Sequence, residues 1–121
     1  MKKILVIEDE KAYSTLLQDQ LGKTYQISTA NNGRKGLDMA LADHPDLILL
    51  DVKMPIMDGM NMLTELRKNQ YGKTAKVIVL TNMEADDSMI QKISDSQPTY
   101  YLVKSDVTLE GLQGKIDELL V

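Results

Sequence analysis

The chain has 121 residues, 43% hydrophobic and 26% charged, ordinary values for one globular domain whose core needs no covalent staples. It contains no cysteine, which excludes disulfides and thiolate metal sites, and its net charge of -4 argues against direct duplex binding, which needs clustered Lys and Arg. The opening apolar run is far too short for a signal segment or a membrane span, so a cytoplasmic protein is expected, with no membrane insertion.

Ile4 to Ile7 is that first run, and it ends at Glu8-Asp9-Glu10. From Lys11 to Leu21, Tyr13, Leu16, Leu17 and Leu21 fall on one face of a helix, and Gly22 is expected to stop it. Tyr25 to Ala30 alternates like a half-exposed edge strand, Asn31-Asn32-Gly33 turns, and Leu37, Ala40 and Leu41 share a face of a helix from about Arg34 to Ala42. His44 and Pro45 follow in a loop; no role is assigned to the histidine. Leu47 to Leu50 is an unbroken apolar run, the signature of a strand buried on both faces, and it delivers Asp51. Pro55 fixes one angle of the next loop, and Gly59 allows close packing or positive φ where a helix carrying Met62, Leu63 and Leu66 begins. Met54, Met57 and Met60 around this loop read as core filler.

Val77 to Leu80 is another apolar strand and delivers Thr81. Asp86 to about Ser94 carries Met89, Ile90 and Ile93 at helical spacing. Tyr100 to Val103 delivers Lys104, and Leu109, Leu112, Ile116, Leu119 and Leu120 stripe a closing helix. Five strands alternating with five helices, without a linker or internal repeat, predict a doubly wound α/β domain over residues 1–121. Its sheet is parallel, in order 2-1-3-4-5.

In such a sheet the residues just past strands 1, 3, 4 and 5 converge on the carboxyl edge, where open α/β folds place their ligands. Here they are Glu8-Asp9, Asp51, Thr81 and Lys104. Carboxylates ~4 Å apart at an effective dielectric near 20 repel by roughly 4 kcal/mol per pair. Such clusters are kept for hard divalent cations or proton chemistry, and oxygen ligands with open water positions suit Mg²⁺, with Mn²⁺ an acceptable substitute. A hydroxyl and an ammonium opposite suit a transferring phosphoryl group. Taken singly, each residue has a plainer use: Thr81 as a strand end, Lys104 as a solvated lysine, Glu8-Asp9-Glu10 as charge at a helix N-terminus.

The stretches ILVIEDE, LILLDVKMPIMDG, VIVLT and YYLVK together make the chain closely resemble the receiver domain of bacterial two-component response regulators, of the chemotaxis-type single-domain form. The resemblance implies that Asp51 accepts a phosphoryl group from a sensor histidine kinase or phosphotransfer protein. It implies that Glu8, Asp9, Asp51 and the backbone carbonyl of Lys53 hold Mg²⁺. Thr81 and Lys104 would bond the phosphoryl oxygens, and Tyr101 would be an aromatic switch acting with Thr81. A downstream effector protein or domain would read the surface of the fourth helix, fifth strand and fifth helix, roughly Asp86 to Leu120. A homodimer formed on phosphorylation belongs to the same expectation.

Three departures from the family pattern stand out. Ser105 replaces the usual proline after the lysine, so a trans Lys104–Ser105 peptide is expected. Asn82 replaces a small residue and is expected to crowd Asp51. The acid pair is Glu-Asp rather than Asp-Asp, and Glu8 is expected to reach the metal through water. An aspartyl-phosphate phosphatase would want a second aspartate where Lys53 stands. A flavin carrier would want a phosphate-cradling loop where three acids stand. The competing reading is a constitutive interaction domain of receiver fold, against which the complete set Glu8, Asp9, Asp51, Thr81 and Lys104 argues. With no effector segment expected after Val121, the chain is read as acting alone by docking or as one domain of a longer regulator.

Overall fold

The computed structural model describes residues 1–121. Its elements follow in the order β1 (Lys3–Ile7), α1 (Lys11–Leu21), β2 (Gln26–Ala30), α2 (Gly33–Asp43), β3 (Leu47–Leu50), α3 (Gly59–Arg67), β4 (Val77–Thr81), α4 (Asp87–Ser96), β5 (Tyr100–Val103) and α5 (Leu109–Leu119). A 3₁₀ turn over Lys104–Asp106 joins the last two. The strands form one parallel sheet in the order β2-β1-β3-β4-β5, as the alternation of elements predicts.

The unbroken apolar runs arise because both faces of the central strands are covered. Leu5, Ile7, Ile48, Leu50, Val77 and Val79 point to one side, where Leu37 and Ala40 of α2, Met62, Leu63 and Leu66 of α3 and Met89 of α4 meet them. Their neighbours Ile4, Val6, Leu47, Leu49, Ile78 and Leu80 point to the other side, against Leu17 and Leu21 of α1 and Leu112 and Ile116 of α5. Each of these buried Val, Leu, Ile and Met side chains contributes roughly 1.5–3 kcal/mol by leaving water. The edge strands β2 and β5 are only partly buried, and the sequence of β2, QISTA, is correspondingly less apolar.

Four helices begin on a side-chain cap. Asn32, Asp58, Asp86 and Thr108 each accept a hydrogen bond from the backbone N–H three residues on. Helix α1 does not: Glu10 occupies the cap position and makes no side-chain cap bond. The acid at the cap position therefore does not start α1 through a side-chain hydrogen bond.

Several details differ from the sequence expectation. Leu16 and Ile90 are about half exposed, at 50% and 54%, because the covered stripes of α1 and α4 are narrower than the helical spacing suggests. Gly22 ends α1 as expected, though in a right-handed conformation, and it is His44 and Gln97 that supply left-handed caps, those of α2 and α4. His44 also stacks on Tyr71, with ring centroids 4.3 Å apart, so the one histidine has a structural place. No glycine has positive φ. Gly59 is required by close approach: a Cβ there would lie 2.0 Å from the carbonyl oxygen of Asp51. Met54 and Met60 are buried in the core and Met57 packs against it, as expected of filler.

Candidate functional site

Register places the site. Ile7 pairs with Leu50 across β1 and β3, so Glu8 and Asp51 leave the sheet side by side. Leu50 pairs with Val79 and Thr81 with Val103, which steps the edge outward to Thr81 and then Lys104. Glu8, Asp51 and Thr81 are nearly out of solvent at 5%, 8% and 1% exposure, while Asp9 is exposed. Together with Glu10, Lys53, Asn82 and Met83 they line a cleft of about 180 Å³. A larger groove of about 310 Å³ lies on the far side of Glu8 and Asp9, between α1 and the start of α2, and carries no comparable convergence of charge.

One carboxylate oxygen from each of Glu8, Asp9 and Asp51 lies within 4.8 Å of the other two. Around an octahedral cation with bonds of about 2.1 Å, neighbouring oxygens are roughly 3.0 Å apart and opposite ones roughly 4.2 Å. The three carboxylates would draw together to share one hard divalent cation, and the donor set is all oxygen.

The positive side of the cleft is Lys104. Its ammonium donates to Glu8 Oε1 at 2.6 Å and lies 3.5 Å from Asp51 Oδ2. Asp51 Oδ1 accepts from the Val52 N–H at 2.7 Å, and Glu8 Oε2 accepts from the Glu10 N–H at 3.1 Å. Burial pushes the Glu8 carboxyl up to about 7; the bonds from Lys104 and Glu10 oppose this and the charge of Asp51 adds to it. Burial by itself favours neutral Lys104. The Glu8 hydrogen bond and the charges of Asp51 and Glu8 outweigh it and hold the ammonium above the usual lysine value.

Thr81 Oγ1 accepts from the Met83 N–H at 3.3 Å, and Tyr101 donates its hydroxyl to the Met83 carbonyl at 2.8 Å. The β4–α4 connection is thus tied to the cleft at one point and to β5 at another. Asn82, expected to crowd Asp51, is exposed at the rim. No peptide bond is cis, so Lys104–Ser105 is trans as expected, and the 3₁₀ turn still delivers Lys104 to the cleft.

Every residue that the sequence pointed to at this edge therefore lines one cleft, apart from Tyr101, which reaches it through Met83. Sequence reasoning missed Tyr13. Its ring lies under the Lys104 ammonium, 4.2 Å from nitrogen to centroid. The helical spacing marked Tyr13 only as part of the apolar stripe of α1, and nothing local in the sequence distinguishes it from that stripe.

Residues 4–116 match the family model described as the response regulator receiver domain. The chain is 43% identical over 135 aligned positions to the alkaline phosphatase synthesis transcriptional regulatory protein PhoP of Bacillus subtilis, covering 98% of this chain and 55% of that protein. It is 34% identical to the response regulator MprA of Mycolicibacterium vanbaalenii, covering 98% of this chain and 50% of that one. The chain thus spans about half the length of these curated relatives. Among solved structures it is similar to the Thermotoga maritima response regulator TrrA in complex with Mg²⁺ and BeF (TM-score 0.81, 35% identity, 98% and 99% of the two chains). It is also similar to the Vibrio cholerae chemotaxis protein CheY4 (TM-score 0.87, 27% identity, 98% of each). With its sheet order and its acidic edge, this chain belongs to the response regulator receiver domain family.

Proposed function

We propose that residues 1–121 act as a phosphoacceptor signalling domain in which Asp51 takes a phosphoryl group from the phosphohistidine of a sensor histidine kinase or phosphotransfer protein. The observation that carries this reading is the Lys104 ammonium, held against Glu8 at 2.6 Å and facing Asp51 at 3.5 Å at the mouth of one cleft. In the transfer, an Asp51 carboxylate oxygen forms a bond to phosphorus as the phosphorus–nitrogen bond of the donor breaks. The electron pair leaves with the imidazole. Lys104 meets the charge that the phosphoryl oxygens bring, and the Thr81 hydroxyl donates to one of them.

Glu8, Asp9, Asp51 and the carbonyl of Lys53 are the groups that would hold Mg²⁺, whose positive charge, when bound, offsets that of the carboxylates and the incoming phosphoryl group. Thr81 and Tyr101 form the switch. Once Thr81 turns to a phosphoryl oxygen, its acceptor role toward Met83 ends, and the Tyr101 hydroxyl holds the same residue from the other side. The surface altered is that of α4, β5 and α5, read by an effector protein or domain, or by a second copy of the chain in a phosphorylation-dependent dimer. Catalysis is limited to the domain's own phosphorylation and dephosphorylation. No helix is long and apolar enough to cross a membrane, and a cytoplasmic site of action fits that reading.

Incubation with acetyl phosphate and Mg²⁺, followed by intact mass, tests the proposal. One added phosphoryl group is expected for the wild type, and none for Asp51→Asn or for the wild type in EDTA. Labelling that survives Asp51→Asn would overturn it.

A further inference from the structure

Three groups surround the Lys104 ammonium: Glu8 Oε1 at 2.6 Å, Asp51 Oδ2 at 3.5 Å, and the face of Tyr13 at 4.2 Å from its centroid. The first two are carboxylates that a divalent cation also requires. The ring is neither a metal ligand nor a phosphoryl acceptor. It sits near the start of α1, half-buried against the core beneath the sheet, so its position does not depend on what the carboxylates bind. The backbone that carries Lys104 is a short 3₁₀ turn with exposed Ser105 and Asp106, and so constrains the long lysine side chain little. A flexible four-carbon stem needs a third restraint when its carboxylate partners are shared.

We propose that Tyr13 is a positioning residue for Lys104: its aromatic face holds the ammonium in the cleft when Glu8 and Asp51 are engaged by the metal. The inference rests on the phosphoacceptor reading for its consequence, and on the ring–ammonium geometry for its existence. The attraction is that of a cation for the negative face of a ring. It needs the ring but not the hydroxyl. Tyr13→Phe therefore retains it, Tyr13→Leu removes it, and pentafluorophenylalanine at position 13 keeps the ring's shape while reversing the sign of its face.

Two readouts test it. The first is the NMR shift of the Lys104 ε-methylene protons, which a ring this close moves upfield. With Mg²⁺ added, the upfield shift should persist in the wild type and Tyr13→Phe and return to the ordinary lysine position in Tyr13→Leu. The second is the rate of labelling by subsaturating acetyl phosphate with Mg²⁺. It should fall about fivefold for Tyr13→Leu and the pentafluoro variant, and stay within about twofold for Tyr13→Phe, as a cation–π contact of ordinary strength implies. Loss of the upfield shift in the wild type on adding Mg²⁺ would overturn the proposal. So would a pentafluoro variant that labels as fast as Tyr13→Phe. If the wild type is not labelled at all, the phosphoacceptor reading fails, and the NMR shift still decides whether Tyr13 positions the lysine.

Discussion

Lys104 Nζ lies 2.6 Å from Glu8 Oε1 across 96 residues of sequence, and both side chains are almost out of solvent. The pair joins the first strand to the last across the carboxyl edge, and its balance governs how the metal-free protein responds to pH.

Glu8 is a carboxyl whose folded value is raised, to about 7 from about 4.5, chiefly by burial. Between those values the native state binds more protons than the unfolded chain, so stability falls as pH rises through this window. The metal-free protein should melt at a higher temperature near the bottom of the window than at its top. The difference in melting temperature between wild type and Glu8→Gln, measured across pH in EDTA, isolates this group. A difference that does not change through the window would contradict the assignment.

Asp51→Asn should raise metal-free stability and weaken the Mg²⁺ response together, since both follow from removing one of three close carboxylates. Mg²⁺ at about 100 times its dissociation constant should add roughly 2.7 kcal/mol to the wild type, several degrees of melting temperature for a domain of this size. Thermal melts of both proteins in EDTA and in excess Mg²⁺ give the four values needed. Equal wild-type melting temperatures in the two buffers would mean that the carboxylates hold no metal in that range.

Arg67 ends α3 by donating to four backbone carbonyls, those of Gly72, Ala75, Ser96 and Gln97. It thereby ties the end of α4 and the approach to β4 to one side chain. Arg67→Met should cost about 3 kcal/mol in urea denaturation, because several carbonyls lose a charged donor at once. Arg67→Lys should recover only part of this, as an ammonium cannot span the same fork of acceptors. A loss under about 1 kcal/mol for Arg67→Met would show that water replaces the guanidinium there.

Two glycine substitutions should act in opposite directions. Gly114 lies within α5 with nothing within 4 Å of an added Cβ, so Gly114→Ala should stabilise by about 1 kcal/mol. A Cβ at Gly59 would lie 2.0 Å from the carbonyl oxygen of Asp51. Gly59→Ala must therefore displace the very backbone that presents Asp51, and should lower both stability and labelling. Urea midpoints and intact mass on the two variants check this, and unimpaired labelling of Gly59→Ala would contradict it.

Most of the site was legible because it depends on strand ends alone. Once Leu47–Leu50 and Val77–Leu80 are read as buried parallel strands, Glu8, Asp51, Thr81 and Lys104 have one edge to share, whatever the helices do. What escaped depends on distances between elements. Tyr13 meets Lys104 only because α1 and the turn after β5 flank the same mouth of the cleft. Arg67 finds its carbonyls only where α3, α4 and the approach to β4 converge. Leu16 and Tyr13 look alike on a helical wheel, but the sheet covers a stripe too narrow for Leu16. His44 read as a loop residue because a left-handed cap depends on backbone angles that the side-chain type does not announce.

The central claim, that Asp51 is the phosphoacceptor, is tested most directly by chemical trapping. Borohydride reduces an aspartyl phosphate to homoserine, leaving a permanent mark at the residue that carried the phosphoryl group. After acetyl phosphate and Mg²⁺ treatment, reduction and tandem mass spectrometry should find homoserine at residue 51 and at no other acidic position. Homoserine at Glu8's neighbour Asp9 or elsewhere, with residue 51 still aspartate, would contradict the account.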